Sequence, residues 1–132
     1  PPYTSSAASD VYKRQAPLRA SLDLFDKAGV KNLCEKSKKL TGYLQVVLEY
    51  VSEESGSNFE IITPPNERGA QISLLVHGHG KPLFDYLIEH GVIADWREPN
   101  VIRMAPVPLY NNFEDIRAFG LILLNYLKAK PA

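Results

Sequence analysis

Pro99–Ile116 reads PNVIRMAPVPLYNNFEDI. Val101–Ala105 is a short extended run of apolar residues interrupted by a single arginine, Arg103. Pro106 and Pro108 then stop any further ladder, because proline has no N–H to donate. Asn111 with Glu114 three residues later reads as a capping box that starts a helix. Strand alternation sets Val101, Arg103 and Ala105 on one face and Ile102 and Met104 on the other. An arginine in an apolar strand is costly unless its guanidinium meets an anion. Its planar fork of donors suits a carboxylate, which it grips through two parallel hydrogen bonds that lysine cannot copy. Residue physics leaves two readings open at this point: a carboxylate site, or an edge-strand arginine paired to Asp95 or Glu98.

Downstream, Ile116, Phe119, Leu123, Tyr126 and Leu127 recur at helical spacing. Upstream, Val92–Trp96 reads as the strand paired to Val101–Ala105 across a Glu98-Pro99-Asn100 turn. Before it, Pro82 suits the first turn of a helix with Leu83, Leu87 and Ile88 inward and Gly91 at its C-terminal cap. Ala70–Val76 and Phe59–Thr63 read as two further strands, the second stopped by Pro64-Pro65. A long helix carries Leu33, Leu40, Leu44, Val47 and Val51 inward and Lys36, Lys38 and Lys39 on its wet side. Gly42 within it points to close packing. Leu18, Leu22 and Phe25 give an earlier helix that Gly29 ends. This order predicts an α+β domain: a mostly antiparallel four-stranded sheet with helices packed on one face.

The chain of 132 residues fits one domain, and 45% hydrophobic residues support an ordinary core. Lysine plus arginine and aspartate plus glutamate both number 15, so a formal charge of zero gives no electrostatic reason to expect nucleic acid or an anionic membrane. No apolar run approaches the roughly 20 residues that cross a bilayer. The single cysteine, Cys34, precludes an internal disulfide, agrees with a reducing compartment, and reads as a small packing residue. Residues 1–15, PPYTSSAASDVYKRQ, have no apolar period and resemble translated adapter sequence at the end of an assembled read. They are expected to be non-native, leaving 16–132 as the domain.

Other polar residues invite simpler roles. His77 and His79 form an HxH pair, but two ligands do not make a metal site, and the intervening glycines suggest a solvated loop. No metal is expected. His90 suits a helix C-terminus. Arg68 and Arg97 sit in turns as candidates for local ion pairs, and Arg19 could cap or pair at the start of the domain. Trp96 is expected to anchor the core, Asn111 to cap a helix, and Tyr110 to pack with its hydroxyl hydrogen-bonded.

Taken in order, PLRASLDLFDKAG, KSKKLTGYLQ, IITP, ERGAQISL, GVIADWREPN and VIRMAPVPLYNNFEDI resemble the C-terminal part of kynureninases, and the likeness covers nearly everything from Ala16 onward. The resemblance implies the small C-terminal domain of a fold-type-I pyridoxal-phosphate enzyme. It implies a parent that cleaves L-kynurenine or 3-hydroxykynurenine to anthranilate or 3-hydroxyanthranilate and L-alanine, in tryptophan catabolism and NAD biosynthesis. A cytoplasmic homodimer is implied as well. The arginine of the family's IR-x-AP-x-PLYN motif, which binds the substrate's α-carboxylate, falls on Arg103. Catalytic and cofactor-binding residues, including the lysine that carries pyridoxal 5'-phosphate, would lie upstream in a large domain, so this stretch alone is expected to be inactive. Two other readings stand beside it: a non-catalytic module that binds amino acids, and the small domain of another enzyme of the same superfamily.

Overall fold

The computed structural model describes residues 3–130, with side chains from Val11 onward. Its elements run α1 (Tyr3–Ala28), α2 (Val30–Ser55), β1 (Phe59–Ile61), β2 (Ile72–Val76), α3 (Gly80–Glu89), β3 (Asp95–Arg97), β4 (Val101–Met104) and α4 (Phe113–Ala129). The order is the one expected. The strands are shorter than their apolar runs, because Ala70, Val92 and Ala105 lie beyond the ladder. Two compact units result, residues 1–34 and 35–132.

In the first unit, α1 takes in Tyr3–Gln15, the stretch set aside as non-native, and runs through Pro17. Leu18, Leu22 and Phe25 share a helical spacing, yet all three are exposed. Gly29 separates α1 from α2 at φ +81°, a conformation that favours glycine. Cys34 is exposed rather than packed.

In the second unit the sheet is wholly antiparallel, in the order β1-β2-β4-β3. Ile72, Leu74 and Val76 of β2 and Ile102 of β4 are buried on one sheet face. Against them lie Leu40, Leu44, Leu48 and Val51 of α2, Leu83 and Leu87 of α3, and Ile116, Phe119, Leu123, Tyr126 and Leu127 of α4. The helices thus cover one face, as the alternation and the helical periods require. Ile88, expected inward, is exposed. Phe84 and Tyr86 pack against the core in its place, Phe84 beside Trp96 at 5.7 Å between ring centres. Trp96 is half-buried, with its indole N–H donated to Glu98 at 2.8 Å.

Close helix packing occurs at Gly120, not at Gly42. A Cβ at Gly42 would meet open space, whereas one at Gly120 would overlap the Val47 side chain of α2. The cap of α3 follows expectation: Gly91 takes φ +82°, its N–H reaches Ile88 O at 3.0 Å, and Val92 N–H reaches Leu87 O at 2.9 Å. That is the Schellman arrangement. The cap of α4 is shifted by one residue. Asn112, not Asn111, is the N-cap; its Oδ1 accepts from Asp115 N–H at 3.0 Å, and the Asp115 carboxylate accepts from Asn112 N–H at 2.9 Å.

Candidate functional site

The face of the sheet without helices carries two rows of side chains, set by the ladder. Directly opposed residues of antiparallel strands project to the same side. One row runs Ser73–Arg103–Asp95 across β2, β4 and β3, and the next runs Glu60–Leu75–Val101–Arg97 across all four strands. Arg103 therefore sits on an interior strand, between a small hydroxyl and a carboxylate. Its side chain is 31% exposed.

The ladder also fixes the partner of that guanidinium. Arg103 Nε donates to Asp95 Oδ2 at 3.0 Å, and Nη2 donates to the same oxygen. Arg97 Nε reaches Asp95 Oδ2 at 3.1 Å. Asp95 is held below the ordinary carboxylate range, first by the hydrogen bond from Arg103 and further by the positive charge of Arg97. Of the two local carboxylates that the sequence offers, Asp95 takes the arginine and Glu98 takes the tryptophan. The cluster holds two guanidinium groups against one carboxylate at the open sheet face, an arrangement that attracts a second anion.

A strap, residues 105–112, leads from β4 to α4. Pro106 is buried, and Asn111 is half-buried. Asn111 does not cap the helix; its Oδ1 accepts from Val107 N–H at 2.8 Å and braces the strap. Tyr110 is 83% exposed rather than packed. Lys36 of α2, expected on the wet side, is half-buried and donates to Pro108 O at 2.6 Å. On the helix side of the sheet, an apolar groove of about 680 Å³ runs between the end of α3, the strap and α4, with Met104, Pro106, Tyr110 and Phe119 in its lining.

The histidines do not form a shared site. His77 is exposed and lies 3.4 Å from Glu60. His79 is not solvated: it is 7% exposed, edge-on to Tyr126 at 5.7 Å, with Nε2 lacking a hydrogen-bond partner. Burial holds its pKa below the ordinary value. His90 stacks on Tyr86 at 3.8 Å, with Nδ1 2.8 Å from Tyr86 O at the end of α3. Among the described residues Arg68 finds no ion-pair partner; Nη2 donates to Gln45 Oε1 at 2.7 Å, and Nη1 is buried with no hydrogen-bond partner there. Arg19 is exposed on α1. Among the described residues no three His, Cys, Asp or Glu side chains gather to hold a metal, and no helix is long and apolar enough to cross a membrane.

Sequence reasoning reached Arg103, Asp95 and Arg97, which lie in or beside one hairpin. It missed Ser73, which meets the hairpin from a distant part of the chain. The only signal for Ser73 was a small polar residue inside an otherwise apolar strand.

Comparison with known proteins places the chain in a family. The family described as Kynureninase C-terminal domain matches residues 33–123. A kynureninase of Christiangramia forsetii is 54% identical over 117 residues, covering 87% of this chain and 28% of the relative. Kynureninases of Flavobacterium psychrophilum and Xanthomonas oryzae are 50% identical over 110 and 109 residues, covering 82% and 79% of this chain and 26% and 25% of theirs. The chain thus spans about a quarter of the length of these relatives. A solved structure of a NifS-like protein superposes with a TM-score of 0.65 at 18% identity, over 75% of this chain and 29% of that one, which establishes the fold. With the match running from α2 to α4, this chain belongs to the kynureninase C-terminal domain family.

Proposed function

We propose that this chain is the substrate-carboxylate domain of a kynureninase. The parent enzyme would hydrolyse L-kynurenine or 3-hydroxykynurenine to anthranilate or 3-hydroxyanthranilate and L-alanine, in tryptophan catabolism and NAD biosynthesis. It would work as a cytoplasmic homodimer. One observation carries the reading within the family: Arg103 stands on the uncovered sheet face, its guanidinium already oriented by Asp95.

Arg103 would receive the α-carboxylate as a fork. Asp95 and the β4 ladder hold the guanidinium before substrate arrives, so less freedom is lost on binding. Ser73, opposite Arg103 on β2, leaves room for the carboxylate and offers a hydroxyl. Fixing one end of the amino acid orients the bond to be broken, which lowers the barrier through positioning.

Pyridoxal phosphate, when bound, supplies the electron sink for the cleavage. The residues described here do not make a site for it. The buried polar atoms without partners, Arg68 Nη1 and His79 Nε2, belong to separate neighbourhoods, one beside Gln45 and the other against Tyr126. Neither offers a cradle for a phosphate and a ring. The cofactor would be held by the portion of the parent outside this chain, and the chain alone would be inactive.

The test is Arg103→Ala in the parent enzyme. Losing a desolvated charge pair costs about 2–5 kcal/mol, so the KM for kynurenine should rise by about thirtyfold or more. Arg103→Lys should not restore it, because a point charge cannot fork. An unchanged KM and rate in Arg103→Ala would remove this residue from the site.

A further inference from the structure

We infer that Lys36 is a positioning residue for the Arg103 site, acting through the strap at residues 105–112; this rests on the kynureninase reading. The strap's own hydrogen bonds are local. Val107 O accepts from Tyr110 N–H at 3.0 Å and from Asn111 N–H at 2.7 Å, and Val107 N–H donates to Asn111 Oδ1. Buried Pro106 holds the start of the strap by packing and these bonds shape the rest, but they give its middle no polar tie to another element. The Lys36 ammonium supplies one, reaching from α2 to Pro108 O at 2.6 Å in a partly buried contact.

The strap leaves β4 at Met104, the residue after Arg103. Met104 is the last paired residue of β4, opposite Ile72. A strap free to swing at Pro108 would pull on that final pair. Arg103 would then lose the frame that holds it opposite Ser73 and Asp95. A fork-to-carboxylate contact is sensitive to such an angular error, and small displacements from a distance are known to weaken substrate positioning.

The experiment uses the parent enzyme. Lys36→Met keeps the aliphatic stem and removes the donor; Lys36→Arg keeps a donor. Lys36→Met should raise the KM for kynurenine by about tenfold with a much smaller change in kcat, and Lys36→Arg should recover most of the loss. Hydrogen exchange at the Tyr110 and Asn111 amides should be slow in the wild-type enzyme and faster in Lys36→Met. A folded Lys36→Met enzyme with unchanged KM overturns the inference, as does a loss confined to kcat. Should Lys36→Met fail to fold, Lys36→Gln takes its place with the same readouts, and an unchanged KM and unchanged exchange at Tyr110 and Asn111 overturn the inference equally. A wild-type parent that does not cleave kynurenine sinks the functional reading instead, while the exchange measurement still judges the Lys36 tie.

Discussion

His79 and Asp95 titrate below their ordinary values for opposite reasons, and only one of them should govern acid sensitivity near neutral pH. Asp95 is charged and held so by Arg103. Its contribution to stability is present above the ordinary carboxylate pKa and is lost only as pH falls through a still lower folded value. As an exposed pair it matters little to the fold. His79 is kept neutral by burial. Its folded pKa lies below the ordinary 6.5, so the unfolded chain binds the extra proton first and stability falls as pH drops from that value through the folded one. Urea unfolding should therefore show a loss of stability that sets in as pH falls through about 6.5 and deepens below it. His79→Phe should flatten that slope, and Asp95→Asn should leave it in place; a slope equal in all three proteins would refute the assignment. Asp95 was legible in the sequence because a tight turn brings it opposite Arg103. The burial of His79 was not, because its cover, Tyr126, comes from the last helix, and a histidine between glycines looks like loop.

Helix periods marked the correct buried stripe on α4, where all five apolar residues read as inward are buried. On α3 the same rule misplaced Ile88, since periodicity shows a stripe and not how wide a neighbour covers it. The two glycines show the same limit. In α2, Gly42 faces open space, so Gly42→Ala should gain about 1 kcal/mol from helix propensity alone. Gly120→Ala gains the same propensity but must displace Val47, whose branched side chain has one preferred rotamer in a helix. Overpacking costs about 1–3 kcal/mol, so Gly120→Ala should be net destabilising, and adding Val47→Ala should relieve the overlap. Denaturant midpoints of the three variants check the order; a Gly120→Ala chain as stable as Gly42→Ala would show that no such contact exists. At the α4 cap, Asn112→Ala should cost about 1 kcal/mol. Asn111→Glu114 and Asn112→Asp115 have the same spacing, so sequence alone could not choose between them. The choice falls to Asn112 because the Asn111 amide turns back to Val107.

At the scale of the molecule, the order of elements, the wholly antiparallel sheet and its single helical layer follow from alternation and connection length. What no local pattern supplied was the strand order, which seats β4 between β2 and β3 and so places Arg103 away from any sheet margin. The local alternative, an arginine on an edge strand, is corrected by that order, although its pairing with Asp95 stands. The same order leaves β1 and β3 as the two margins, each three residues long, with Glu60 on one and Asp95 and Arg97 on the other. An extended peptide laid against either margin would find only a brief ladder and would have to crowd a charged side chain. Short, charged borders of this kind discourage runaway strand addition between neighbouring copies while a chain is still emerging and incompletely assembled.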